Sequence, residues 1–492
     1  MHNTVARLLK RFAISACCAL ILLAGNLPAA TLQQEYDVVI LNGRVIDPES
    51  GFDAIRNVGI SGGRVQAISE KRLRGRTTIL ATGLVVAPGF IDLHSHGQDA
   101  ENYRYKAMDG VTTALELEVG VADVDRWNAE REGKALINYG ASVGHIPVRM
   151  RVMKDPGTFL PTGDAGYKAA SDAEVEHFKR DIEQGLKRGA IGVGFGIQYT
   201  PVASRWEILE IFRIAARHNA VCFVHMRHAG DKEPSSSVQA LEELIAAAAI
   251  TGAPLHVVHI TSSGLRATPR LLQMIGEAQA RGIDVTTEMY PYTATQTLIE
   301  SAIYNEGWQQ VLGIDYKDLQ WAATGERLNK ESFERYRKTG GPVIAHSIPE
   351  EMARLAVQSP LTMIASDGFL QNGKGHPRGS GTFARVLSRY VREQKTLTLM
   401  DALRKMTVMP ARRLERRVPA MKDKGRIRVG SDADICVFDP NTITDKSTYE
   451  QPANYSEGVR HVLVNGVFVV RDGQLQTGVA PGRAVRARAG AK

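Results

Sequence analysis

Two histidines one residue apart, His94 and His96 in Phe90-Ile-Asp-Leu-His-Ser-His96, follow the turn Ala87-Pro-Gly89. Residues two apart on an extended strand share a face, so both imidazoles can reach one divalent metal. Such pairs also occur in ordinary strands, and this one gains meaning from its company. Thr112-Thr-Ala-Leu-Glu-Leu-Glu118 sets Glu116 and Glu118 on one strand face. Val221-Cys-Phe-Val-His225 and Leu255-His-Val-Val-His259 each end an apolar run on a histidine, and Met363-Ile-Ala-Ser-Asp367 ends one on an aspartate. Each has a plainer reading: a solvated edge strand for the acids, core packing for the lone histidines, a turn for the aspartate. Unpaired carboxylates aimed into a core are costly, however, and a dication is the simplest compensation. Glu118, nearer the strand end, is the stronger ligand candidate. His256 has the opposite parity to His259 and is expected to face outward.

A common site for these residues needs strands whose ends meet. Between about residues 87 and 422, apolar strand-like runs alternate with helical stretches such as Ala173 to Lys187 and Ser237 to Ala248, the rhythm of βα units around a parallel sheet. The expected fold class is α/β, a (β/α)₈ barrel, whose active sites gather at the C-terminal strand ends. A stretch from about 293 to 341, with Trp308 and Trp321 but no strong strand, reads as an insertion. Short β-type runs with Asn-Gly and Gly-Gly turns fill residues 31–86 and return in 423–492, where Asn465-Gly466 joins two apolar strands. The two ends together predict one small β-sandwich domain, finished by a basic tail.

Composition narrows the function. The chain has 492 residues, 43% hydrophobic and 23% charged, which suits a globular protein. Its net charge of +8 owes much to Arg7, Lys10 and Arg11 and to the terminal Arg483, Arg486, Arg488 and Lys492, read as a solvated tail. No nucleic-acid partner is expected from so balanced a middle. Residues 1–30 join that basic start to the apolar run Phe12 to Ala24 and to Pro28-Ala-Ala30, the layout of a secretory signal peptide. Export, most simply to the periplasm, is the expectation. The apolar run is shorter than the ~20 residues of a spanning helix, so an uncleaved anchor is the weaker alternative, and no stable membrane insertion is expected after cleavage. Cys222 and Cys436, the cysteines beyond the signal, read as packed core thiols.

Taken together, the chain resembles the amidohydrolase superfamily and, within it, the D-aminoacylase (N-acyl-D-amino-acid deacylase) family. The resemblance rests on Asp37-Val-Val-Ile-Leu-Asn-Gly-Arg44, Pro88 to His96, Gly110-Val-Thr-Thr113, Gly144-His145, Gly189-Ala-Ile-Gly192, His225-Met-Arg227, Tyr290-Pro-Tyr-Thr-Ala294 and Ser366-Asp-Gly368. It continues through His376-Pro-Arg378, Gly381-Thr-Phe383, Lys405-Met-Thr407, Pro410-Ala-Arg412, Ala433-Asp434 and Phe438-Asp-Pro440. What it implies is a metal-activated hydroxide attacking an amide carbonyl. It also implies that His94, His96, His225 and His259 are metal ligands, and that Asp367, itself near the metal, takes the water's proton and passes it to the leaving amine. By the same match, Arg378 receives the substrate carboxylate, Tyr290 and more weakly Tyr292 assist, and His145 lines the pocket or orients a neighbour.

Two departures from the family pattern shape the expectation. Where D-aminoacylases carry a cysteine ligand after the second strand, this chain reads Leu117-Glu118-Val119-Gly120, and its fourth strand, Ala190 to Ile197, lacks the lysine that other amidohydrolases carboxylate. Glu118 is therefore expected to bridge two ions, zinc in the first instance, with other divalent metals able to substitute. Thr261 stands where the family often has a lysine that helps hold the substrate carboxylate. The expected substrate is a small linear amide, an N-acyl-D-amino acid or a dipeptide with a C-terminal D-residue. Ring opening of a cyclic amide and a non-catalytic binding role are the alternatives.

Overall fold

The structure is a computed structural model that describes residues 35–488. Eight strands form one parallel sheet in sequential order: β1 (Phe90–Asp92), β2 (Val111–Val121), β3 (Asn138–Gly144), β4 (Gly192–Gly196), β5 (Val221–His225), β6 (Leu255–Val257), β7 (Val285–Met289) and β8 (Thr362–Ile364). The sheet nearly closes into a barrel. Past the ends of β8 and β1, Ser95 and Gly368 form a parallel bridge, and the Asp367 N–H donates to the His94 carbonyl at 2.7 Å. The buried Asp92 carboxylate tightens this seam, accepting from the Ser366 N–H, the Ser366 hydroxyl and the His94 N–H, with Lys106 Nζ 2.8 Å away.

Helices cover the outside. Asp172–Lys187 is representative: Ser171 and Glu174 cap its start reciprocally, and Val175, Phe178, Ile182 and Leu186 recur at helical spacing on its buried face. Inside, Ile91, Leu93, Leu115, Val221, Phe223 and Met363 fill the barrel below the strand ends. Val485 and Ala487 join that same cluster, and the Arg486 guanidinium pairs with Asp125. The chain end through residue 488 is thus packed against the barrel, a correction to the solvated tail; its apolar alternation anchors it while Arg483 and Arg488 face solvent.

Strands from both ends of the chain build the second, sandwich-like unit. Val85–Pro88 pairs antiparallel with Ile435–Phe438, joining the hairpins of Glu35–Leu80 to those of Val459–Leu475 in a nine-stranded sheet. The insertion between β7 and β8 contains strands after all: Thr295–Leu298, Leu319–Trp321 and Pro342–Ala345 form a three-stranded antiparallel sheet, with Trp321 buried at the end of one strand and Trp308 buried outside the strands. Cys222 and Cys436 are buried free thiols. Among the described residues no helix is long and apolar enough to cross a membrane. The signal-like segment lies outside the described residues.

Candidate metal centre

One irregularity of β2 builds the centre. Its register with β3 runs from Glu116 opposite Ala141 to Val121 opposite Val143, so three surplus residues arc out of the strand. The arc Leu117 to Gly120 crosses the top of β3 and reaches β4. Gly120 turns it with φ +67°, and the Ser142 hydroxyl holds the Leu117 carbonyl at 2.8 Å. A Cβ on Gly194 would stand 2.2 Å from the Glu118 carbonyl oxygen, and one on Gly144 1.9 Å from that of Val119. The glycines of β3 and β4 are therefore the seat on which the arc rests.

Seated there, Glu118 projects between two sets of donors. Its Oε2 lies 2.9 Å from His94 Nε2 and 3.1 Å from His96 Nε2, and these two nitrogens are 3.1 Å apart. Asp367 Oδ1 completes the set, 3.4 and 3.3 Å from the same nitrogens. The other oxygen, Oε1, lies 2.9 Å from His225 Nδ1 and 3.7 Å from His259 Nε2. Nitrogen and carboxylate donors converging in two groups around one shared carboxylate fit divalent metal ions, and the buried sites offer no thiol to bias them toward soft metals.

Each histidine is held through its other nitrogen. His94 Nδ1 meets Glu288 Oε1 at 2.6 Å, His96 Nδ1 meets Glu116 Oε2 at 2.8 Å, His225 Nε2 meets Gln198 Oε1 at 2.7 Å, and His259 Nδ1 meets Ser262 Oγ at 2.8 Å. A donor N–H fixed on that side leaves the opposite lone pair facing the metal position. Glu116, an alternative bridge by sequence, thus serves behind His96. Glu288 and Gln198 escaped the sequence reading; Glu288 shows the same signal as Glu116, an acid near a strand end, whereas Gln198 has none.

The charges are mutually supporting. Burial opposes charging His94, but Asp367, Glu288 and Glu118 outweigh it and push its imidazole up to about 10 in the metal-free protein. Burial likewise works against the Asp367 carboxylate, and Arg378 and His94 override it, holding the group well below the ordinary carboxylate range. Arg378 Nη1 stands 2.9 Å from Asp367 Oδ2, and its guanidinium lies over the Tyr290 ring at 4.5 Å. Arg378 Nε and the Gln296 side-chain amide are buried without hydrogen-bond partners in the protein.

Three expected positions differ. His145 is fully buried away from the cleft, bonding Glu207 at 2.7 Å beside Arg149, so it stabilises the β3 end and does not line the pocket. Tyr292 packs edge-on to His376 and under Arg385, with its hydroxyl 3.4 Å from the Pro377 carbonyl; it lies outside the cleft lining, as do Arg378 and Tyr290, but those two reach the centre's edge, Arg378 through Asp367 and Tyr290 through Arg378. His256 faces into the barrel and meets Glu288 Oε2 at 3.3 Å. Strand parity does not carry over from His256 to His259 because β6 ends at Val257 and His259 adopts φ +32°, which turns it back to the inside.

Above the centre opens a narrow cleft. Phe159, Leu160 and Phe369 wall one side and Leu298, Ile303, Tyr304 and Leu312 another, while His96, Glu118, His225, His259 and Asp367 line its base.

Residues 77–151 and 164–470 match the model of the amidohydrolase family. An N-acyl-D-glutamate deacylase of Alcaligenes xylosoxydans xylosoxydans is 29% identical over 92% of this chain and 97% of its own. The crystal structure of N-acyl-D-glutamate deacylase from Bordetella bronchiseptica, complexed with zinc and a phosphonate mimic of the tetrahedral intermediate, superposes with TM-score 0.78 at 27% identity, covering 92% of this chain and all of that one. A D-aminoacylase structure, described for its binuclear metal centre with one-metal activation and second-metal attenuation, gives TM-score 0.78 at 26% identity over the same coverage. Dihydroorotases and hydantoinases are more distant.

Proposed function

The chain belongs to the amidohydrolase family, and on that premise we propose that it hydrolyses the linear amide of N-acyl-D-amino acids or of dipeptides ending in a D-residue. One observation carries this reading: Asp367 turns one oxygen to the metal-facing nitrogens of His94 and His96 and the other to Arg378. A base beside the reacting water and a cation for a carboxylate thus stand side by side, the pairing that an acylated amino acid requires.

His94, His96 and Asp367 would hold one ion, His225 and His259 a second, with Glu118 reaching both; zinc suits the donors and the relatives. A bound divalent ion supplies a Lewis acid that polarises the amide carbonyl and acidifies water. Asp367, kept ionised by Arg378, accepts a proton from the attacking water and returns it to the departing nitrogen. Its backbone is held for this at φ +51°, outside ordinary strand geometry, by the N–H bond to His94. Arg378 Nε, the Gln296 amide and Tyr290 form the carboxylate end, in place of the cation absent at Thr261.

The deciding experiment is an amine-release screen of the zinc- or manganese-loaded protein against N-acyl-D- and N-acyl-L-amino acids, mixed-chirality dipeptides and cyclic amides. Release of free amine from the D-substrates is expected. Turnover confined to cyclic amides would sink the reading. Export to the periplasm is part of the same proposal, supported by the Arg7 to Ala30 pattern.

A further inference from the structure

The walls of the cleft are more informative about the substrate than its base. Both apolar walls come from segments outside the barrel strands: Phe159 and Leu160 from the β3–β4 connection, and Leu298, Ile303, Tyr304 and Leu312 from the insertion. Phe159 and Phe369 meet the His96 ring at 5.4 and 6.4 Å and each other at 6.3 Å, an aromatic wall directly beside the metal ligands.

The unpaired Gln296 amide between these walls is assigned above to the α-carboxylate, and three other polar groups there are already engaged. The Thr297 hydroxyl pairs with Tyr199 at 3.1 Å, Gln198 holds His225, and Ser262 holds His259. Among the described residues lining the cleft there is no lysine or arginine. Arg378 stands behind Asp367 and is taken by the α-carboxylate in the reading above.

From this we propose that the enzyme selects substrates whose amino-acid side chain and acyl group are both apolar, and discriminates against a second carboxylate on either. The proposal rests on the deacylase reading. A second carboxylate would be moved out of water against apolar walls that offer no lysine or arginine to receive it. An apolar side chain or acyl chain would instead cover wall surface that is otherwise wetted.

The test is a set of kcat/KM values for the metal-loaded enzyme on N-acetyl-D-leucine, N-acetyl-D-phenylalanine, N-acetyl-D-glutamate, N-acetyl-D-aspartate and N-succinyl-D-leucine. N-acetyl-D-leucine and N-acetyl-D-phenylalanine should exceed the three dicarboxylates by ~10²-fold or more. Turnover of N-acetyl-D-glutamate or N-succinyl-D-leucine within a few-fold of N-acetyl-D-leucine would overturn the selectivity and leave the deacylase reading standing. Failure to cleave any member of the set would overturn both.

Discussion

Alanine at position 194 should disable the centre without touching a ligand. The new Cβ would stand 2.2 Å from the Glu118 carbonyl oxygen, 2.6 Å from that of Leu117 and 2.7 Å from Ser142 Oγ. Ordinary contact begins at 3.4 Å, so the arc must retreat by roughly 1 Å, and two of the three obstacles are backbone atoms that cannot swing aside. Glu118 rides on that backbone and now sits 2.9 Å from both His94 Nε2 and His225 Nδ1. A displacement of about 1 Å in a reacting constellation costs on the order of 10²-fold in rate. Overpacking should also cost about 1–3 kcal/mol of stability. Steady-state kcat, bound metal by elemental analysis and thermal unfolding would be compared with Gly276→Ala, on the helix Thr268–Ala280, where the nearest outside atom is Leu361 Cδ1 at 3.6 Å. That control should keep full activity and gain up to ~1 kcal/mol from helix propensity. A Gly194→Ala protein with wild-type kcat and metal content would refute the seat.

Other perturbations read the same centre. Glu118→Ala should lower bound metal below two equivalents per chain; one equivalent in the active wild type, unchanged in the variant, would refute bridging. Glu288→Gln, which leaves His94 Nδ1 with a neutral partner, should weaken metal affinity by about 10–100-fold in competition with a chelator, and an unchanged affinity would rule out that role. The metal-free His94 pKa of about 10 lies above the ordinary histidine value of 6.5, so the stability contributed by its proton is complete below pH 6.5 and lost as pH rises through 10. The chelated protein should therefore lose thermal stability from pH 7 to 10 more steeply than the loaded one. Metal uptake near pH 7.5 should release on the order of one proton per site, seen as a buffer-dependent heat of binding. Mass spectrometry of protein made with its native first segment should find an N-terminus beyond Ala30; an intact Met1 in the exported fraction would contradict signal cleavage.

The donors were legible in the sequence because chemistry and strand ends coincide there. His94, His96, Glu118, His225, His259 and Asp367 each close a short apolar run, and the alternation of those runs with helices predicts a barrel whose strand ends meet. Hydrophobic periodicity records which residues a regular element buries, so the βα order and the sandwich hairpins could be read without coordinates. The tertiary structure decided what lies beyond regular geometry. The arc Leu117 to Gly120 of β2, the turn of His259 at φ +32° and that of Asp367 at φ +51° aim the ligands, and no period of two describes them. It also decided the partners, placing Glu288 behind His94 and Arg378 behind Asp367 while drawing His145 away to Glu207. Periodicity assigns a residue to a face, but which atoms meet across a barrel depends on shear, arcs and glycine seats that only the closed sheet establishes.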